Sequence, residues 1–157
     1  MQLNETVADF TLQTDEDRTV SLSDYAGKPV VLFFYPRANT PGCTIEACGF
    51  RDQFQKLIEA GAVVLGISRD TPKAQAKFRA KYELPYTLLA DVDEKVCNLF
   101  GVLKEKNMYG KKCWGIERTT FVIGPDRTLL HIFAKVTPAG HAEAVLALIE
   151  GWKSKQS

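Results

Sequence analysis

Val30-Val-Leu-Phe-Phe-Tyr35-Pro36 leads directly into Arg37-Ala-Asn-Thr40-Pro-Gly-Cys43-Thr-Ile-Glu46-Ala-Cys48, and this junction sets the fold class. The first six residues are all apolar, β-branched or aromatic, as in a strand buried on both faces. Pro36 ends the strand, and residues 37–42 read as a loop. From Cys43 a helix is predicted to run to Ala60. Phe50, Phe54, Leu57 and Ile58 fall at i, i+4, i+7 and i+8, with Gly61 just past the end. A buried strand turning into an amphipathic helix is a building unit of α/β folds.

The same alternation extends outward from the junction. Upstream, Asp9–Thr14 and Thr19–Leu22 flank the polar Asp15-Glu-Asp-Arg18 and predict a hairpin. Downstream, Ala62–Ile67 is a second buried strand. Thr71 is a candidate N-cap with Pro72 at the first helical position, and Ala74, Phe78 and Tyr82 share one face of that helix. Tyr86–Ala90 is a third strand, and Asp93–Phe100 a short helix closed by Gly101. Residues 102–118 are read as a long connection whose Lys104, Lys106, Lys111 and Lys112 suggest exposure. Thr119–Ile123 and Leu129–Val136 are strands joined by the turn Gly124-Pro-Asp-Arg127. A last helix runs from Gly140 to about Lys153 with Ala142, Val145, Leu146, Ile149 and Trp152 on one face. The pattern predicts a three-layer α/β fold with a mixed central sheet and an N-terminal β extension, thioredoxin-like or another of that class.

Composition narrows the function. The chain has 157 residues, enough for one domain with one core. Lys and Arg number 20 against 19 Asp and Glu, a net charge of +1, so no global attraction to nucleic acid is expected. No apolar run approaches the roughly 20 residues of a membrane helix. Met1–Thr6 carries neither the basic nor the apolar region of a signal peptide, which makes the expected setting cytoplasmic. Four cysteines are too few to staple a chain of this length. They are core residues, metal ligands or catalytic thiols, and that choice decides the function.

Cys43 carries the signal. Thr40 sits at the expected N-cap and Pro41 at the first helical position, so Gly42 and Cys43 occupy the first turn. A sulfur there meets unpaired N–H groups and the positive end of the helix dipole, which favour thiolate over thiol. The Thr40 hydroxyl can donate to that thiolate or orient an attacking oxygen, and Pro36 closes one side of the pocket. The bland alternative is a capped helix with a small apolar cysteine. Cys48 lies five residues on, a rotation of about 140° net and a rise of about 7.5 Å along a helix. The two Cα atoms are then about 8–9 Å apart, beyond the roughly 7 Å that a disulfide spans. Pairing two cysteines that start in one intact helix requires local unwinding. An exposed thiolate with a second thiol just out of reach suits a cycle of oxidation, unfolding, disulfide formation and reduction. Cys48 could equally be a buried structural thiol. Arg118, just ahead of Thr119–Ile123, would bind a thiolate and oxygen atoms gaining charge; its ordinary alternative is an ion pair with Glu117 or another acid.

With Pro36, Thr40, Cys43, Cys48 and Arg118 in place, the chain resembles the peroxiredoxins, whose pattern is Pro-x-x-x-Thr/Ser-x-x-Cys. The stretch Thr40-Pro-Gly-Cys-Thr-Ile-Glu-Ala-Cys-Gly-Phe-Arg-Asp52 is similar to the bacterioferritin-comigratory, or PrxQ, subgroup, and the likeness extends through Ile116–Ile123. The resemblance implies a thioredoxin-like fold and a thiol-dependent peroxidase acting on hydrogen peroxide and organic hydroperoxides. It implies Cys43 as the peroxidatic cysteine that becomes a sulfenic acid, with Arg118 and Thr40 holding thiolate and peroxide and Pro36 shielding the product. It implies Cys48 as the resolving cysteine, recycling by thioredoxin or a similar dithiol, no cofactor or metal, and a monomer. Glu46 matches an acidic position of the family; helix-start charge is its simple alternative.

Two other cysteines qualify the resolver. Cys97, beside Val96, Leu99 and Phe100, is expected in the core. Cys113 lies in the lysine-bearing connection and is an alternative resolving thiol, an intermolecular partner or an incidental thiol. A thiol–disulfide oxidoreductase would carry Cys-x-x-Cys, which the Cys43–Cys48 spacing does not supply. A metal site from the cysteines with His131 and His141 lacks ligand spacing, and both histidines suit ordinary structural places. A pure binding module has no need of a capped thiol with an arginine partner.

Overall fold

The apolar run forms the middle of the sheet. The computed structural model describes the backbone of residues 1–156 and all their side chains except those of Lys106, Met108 and Gln156. In chain order the elements are β1 (Thr11–Thr14), β2 (Thr19–Ser21), a short 3-10 turn (Leu22–Tyr25), β3 (Val30–Phe34), α1 (Pro41–Glu59), β4 (Val63–Ser68) and α2 (Pro72–Tyr82). They continue with β5 (Thr87–Ala90), α3 (Lys95–Phe100), β6 (Leu103–Met108), β7 (Lys111–Ile116), β8 (Thr119–Ile123), β9 (Leu129–Phe133) and α4 (His141–Gln156). Seven strands make the central sheet in the order β2-β1-β5-β4-β3-β8-β9. β3, β4 and β5 are parallel; β8, β9, β1 and β2 each run antiparallel to the inner neighbour. The sheet is therefore mixed, as expected, and the N-terminal hairpin is its outer edge beyond β5.

Strand period separates two cores. Val31, Phe33 and Tyr35 point to one side with residues of α1, α2 and α4. Val30, Leu32 and Phe34 point to the other, with Val7, Phe10, α3 and Ile116. Every residue of β3 is buried, because layers cover both faces. On the first side Phe33 stacks on Phe50 of α1 with centroids 4.6 Å apart. Gly66 of β4 lies beneath that stack. A Cβ there would come within 2.8 Å of both Leu88 Cδ2 and Phe33 Cζ, so only glycine lets the aromatic layer settle on the sheet.

Several boundaries differ from the pattern reading. The connection 102–118 contains the antiparallel hairpin β6–β7, paired from Leu103↔Ile116 to Met108↔Lys111 and separate from the main sheet. Its tip carries Tyr109 and Gly110, both at positive φ (54° and 77°). That conformation suits a tight hairpin turn. α1 begins at Pro41, the first helical position expected after Thr40, two residues ahead of the helix start at Cys43 read from the apolar period, and β9 ends at Phe133 rather than Val136. Cys97 is buried as expected, with Asp91 accepting from the amides of Val96 and Cys97. Burial and the neighbouring Asp91 carboxyl push its thiol well above the ordinary range. Cys113 is exposed on β7.

Candidate active site

Sheet register brings the distant pieces together. Phe34 pairs with Thr119, so Arg118 stands beside the carboxyl end of β3, where the chain turns into α1. The turn is held in place by its neighbours. Ala38 N donates to Asp70 Oδ2 at 2.7 Å, and Asn39, at φ 62°, accepts from the Tyr82 hydroxyl at 3.1 Å. Pro36 and Thr40 are half-buried here. Thr40 has the extended backbone of an N-cap (φ −98°, ψ 158°), and its carbonyl accepts the first helical bond from Thr44 N at 2.9 Å. Its side chain caps no helix amide. The hydroxyl donates to Arg37 O at 2.8 Å, so its hydrogen is committed to the loop and its oxygen remains an acceptor. The expected donation from Thr40 to the sulfur is not made in this structure.

Cys43 is in the first turn of α1, as the spacing predicts, but it is buried, not exposed: 1% of its surface is accessible. The apolar face of α1 reaches to that turn, and Cys43 joins the same core cluster as Tyr35, Ala47 and Phe50. Arg118 Nη2 donates to Cys43 Sγ at 3.4 Å. Its other terminal nitrogen, Nη1, donates to Glu46 Oε1 at 2.8 Å. The arginine fork therefore bridges a thiol and a carboxyl group one helical turn apart on the same face of α1. Its partner acid is Glu46, not Glu117, and the contact is nearly dry, with side-chain exposures of 15% and 0%. Gly42 makes room for the fork: a Cβ at that position would lie 3.0 Å from Arg118 Nη2 and 3.6 Å from Pro138 Cγ.

A second layer lies behind the fork. His141, the first residue of α4, is buried, and its Nε2 is 2.7 Å from Thr120 Oγ1 and 3.9 Å from Glu46 Oε2. Burial pushes Glu46 up to about 7, against the pull of the Arg118 charge. Burial, and then Arg118, push His141 down to about 4. Sequence reasoning placed His141 at a helix start and gave it no part in the site. No local motif links Thr120, His141 and Glu46, because three separate elements supply them. The i+3 spacing of Glu46 from Cys43 was the one available signal.

Cys48 is half-buried and free, one and a half turns beyond Cys43 in the same unbroken helix. All four cysteines are unpaired. His131 is half-buried on β9 with its ring edge-on to Phe133, far from any ligand set. Among the described residues no group of three or more His, Cys, Asp or Glu side chains is placed to hold a metal ion, and no helix is long and apolar enough to cross a membrane.

A thioredoxin-like sheet with a helix-start thiol clasped by an arginine defines a thiol enzyme of the peroxiredoxin class. Comparison with known proteins agrees. The AhpC/TSA family model matches residues 3–132. A putative peroxiredoxin Bcp from Coxiella burnetii is 53% identical over 87% of this chain and 91% of its own length. The peroxiredoxin Bcp of Bacillus subtilis is 39% identical over 99% of both chains. Among solved structures, a cysteine-to-serine variant of Xylella fastidiosa PrxQ superposes with a TM-score of 0.92 at 36% identity, covering 96% of each chain. The Xanthomonas campestris bacterioferritin comigratory protein, whose structures bear on alkyl peroxide reduction, gives 0.88 at 40% identity over 92% of each chain. The chain belongs to the AhpC/TSA family, within its Bcp, or PrxQ, peroxiredoxins. It is a thiol-dependent peroxidase that takes peroxides and a thiol reductant.

Proposed function

We propose that Cys43 is the peroxidatic cysteine of a single-domain, monomeric, cytoplasmic peroxidase spanning residues 1–157. The observation that carries this is the 3.4 Å contact from Arg118 Nη2 to Cys43 Sγ at the start of α1. A guanidinium and a helix N-terminus both stabilise a thiolate, and both remain in place as negative charge moves onto peroxide oxygen. The Cys43 thiolate attacks the nearer oxygen of ROOH. A sulfur–oxygen bond forms, the O–O bond breaks, and the leaving alkoxide or hydroxide takes up a proton to give alcohol or water. Cys43 is oxidised to a sulfenic acid. Thr40 offers its oxygen to the hydroperoxide proton, and Pro36 walls the pocket. The alkyl peroxide reduction named for the Xanthomonas campestris relative supports organic hydroperoxides as substrates beside hydrogen peroxide.

Cys48 then resolves the sulfenic acid. Its sulfur bonds to that of Cys43 and water leaves, which requires the first two turns of α1 to open. A thioredoxin-type dithiol returns both cysteines to thiols. No metal or organic cofactor enters any step.

Fully reduced protein given one equivalent of hydrogen peroxide tests this reading. Rapid loss of two thiols is expected, with a Cys43–Cys48 link in the non-reduced peptide map. Cys43→Ser abolishes turnover. Cys48→Ser keeps the first oxidation and loses efficient dithiol-driven turnover. Full activity in Cys43→Ser would sink the mechanism, and a link from Cys43 to Cys97 or Cys113 would reassign the resolver.

A further inference from the structure

Among the described residues, Glu46 Oε2 is the one buried side-chain nitrogen or oxygen without a hydrogen-bond partner. Such an atom needs a physical account, because an ionised oxygen left dry and unpaired is costly. Its nearest polar neighbour across the gap is His141 Nε2, at 3.9 Å. That nitrogen is already engaged with Thr120 Oγ1, at 2.7 Å.

The Thr120–His141 contact fixes what the imidazole shows to Glu46. Thr120 is fully buried on β8, and its hydroxyl has this one side-chain partner. A buried hydroxyl hydrogen needs an acceptor, so Thr120 donates to Nε2 and the ring proton sits on Nδ1. Nε2 thus has no N–H to offer Oε2, and its single lone pair is taken by the Thr120 hydroxyl. No donor on that edge offsets a negative charge on Oε2, so the dry site favours the neutral acid.

We propose that His141, oriented by Thr120, is a positioning residue that keeps Glu46 in its neutral acid form and so leaves the charge of Arg118 to the Cys43 thiolate. One guanidinium faces two acids, Glu46 at 2.8 Å and Cys43 at 3.4 Å. Two negative charges against one positive charge in a dry site are unfavourable, so the acids compete for a single ionisation. Whatever holds the proton on Glu46 favours the thiolate. The other groups around the pair do not reverse this. Glu143 on α4 acts on His141 from outside, and Tyr86 is buried and neutral. The burial of Glu46, which raises it to about 7, works in the same direction. The inference rests on Cys43 being the reacting thiolate, but its readout needs no peroxide.

The test is the rate at which iodoacetamide alkylates Cys43 in the full-length reduced protein, followed by peptide mass spectrometry from pH 5.5 to 9. Thr120→Val keeps the shape of the strand residue and removes the donor. Nε2 is then free to carry the ring proton and donate toward Oε2, which stabilises the carboxylate. Alkylation at pH 6.5 is expected to slow about three- to ten-fold, as Arg118 is drawn to an ionised Glu46 and less of Cys43 is thiolate. His141→Gln, whose amide N–H can serve Oε2, moves the profile the same way, and Thr120→Ser leaves it in place. Adding Glu46→Gln to Thr120→Val restores the rate at pH 6.5, because a neutral amide no longer competes for Arg118. An unmoved profile in folded Thr120→Val, or a slowing that Glu46→Gln does not reverse, overturns the proposal. Should these shifts appear while hydrogen peroxide leaves Cys43 unoxidised, the positioning role stands and the peroxidatic assignment falls.

Discussion

Gly42 and Arg118 meet at a distance that leaves no slack. A Cβ on residue 42 would sit 3.0 Å from Arg118 Nη2, the nitrogen that donates to Cys43, while Nη1 is anchored at 2.8 Å to buried Glu46. The guanidinium is rigid and planar, so it cannot give way at one nitrogen and keep both bonds. Gly42→Ala should displace Nη2 by a few tenths of an ångström and weaken a charge-assisted bond worth about 1.5–3 kcal/mol. The first oxidation of Cys43, followed by stopped-flow fluorescence, is expected to slow by about ten-fold or more. Thermal stability should hold or rise, because Gly42 has no positive φ and alanine favours a helix by about 1 kcal/mol over glycine. A slower enzyme with an equal or higher Tm separates a displaced Arg118 from a damaged helix; an unchanged rate would mean that the fork has room to spare.

Helix α1 has two conflicting duties: it holds the Cys43 sulfur in its first turn, and it must open for Cys48 to reach it. Beside the Arg118–Glu46 contact, a tertiary bond to the backbone restrains the segment between them. Tyr86, buried just ahead of β5, donates its hydroxyl to Ala47 O at 2.6 Å while its ring packs edge-on to Phe33. Tyr86→Phe keeps the ring and removes that bond, a loss of about 1 kcal/mol. Opening of the segment should become about five-fold easier. Amide exchange at Ala47 and Cys48 is expected to quicken by that factor, and disulfide formation after the first oxidation with it. Equal exchange in both proteins would show that the bond does not control opening. Elements of this kind were unequally legible. β3, α1 and the β8–β9 hairpin announce themselves because burial imposes an apolar period on them. The β6–β7 hairpin does not, since it stands outside the main sheet and its strands carry Lys104, Glu105, Lys111 and Lys112 on exposed surface. Likewise Thr40, Cys43 and Arg118 were readable from a cap and a motif, whereas Thr120 and His141 gain their meaning only when β8 and α4 close over Glu46.

Burying Glu46 beside Arg118 leaves a mark on the pH dependence of folding. In the unfolded chain Glu46 loses its proton near 4.5; in the folded protein it keeps it to about 7. Between those values the folded state binds more protons, so this group makes stability fall as pH rises, by on the order of 3 kcal/mol across the window. His141 acts the other way. Its unfolded imidazole is protonated below about 6.5, while the folded one stays neutral down to about 4, so it makes stability rise with pH over that range. The two slopes oppose each other from about 4.5 to 6.5, and substitution uncovers them singly. Relative to the parent protein, Glu46→Gln should gain stability steadily from pH 4.5 to 7, whatever constant offset the lost half of the ion pair imposes. His141→Gln should instead lose stability relative to the parent over about pH 4 to 6.5. Guanidinium unfolding of reduced protein at half-unit pH steps measures both. If Glu46 were simply an ionised partner of Arg118, with its carboxyl held low, Glu46→Gln would be most harmful at pH 7 and least at pH 4.5. The sign of that difference therefore distinguishes a buried acid that keeps its proton from an ordinary salt bridge, independently of any peroxide assay.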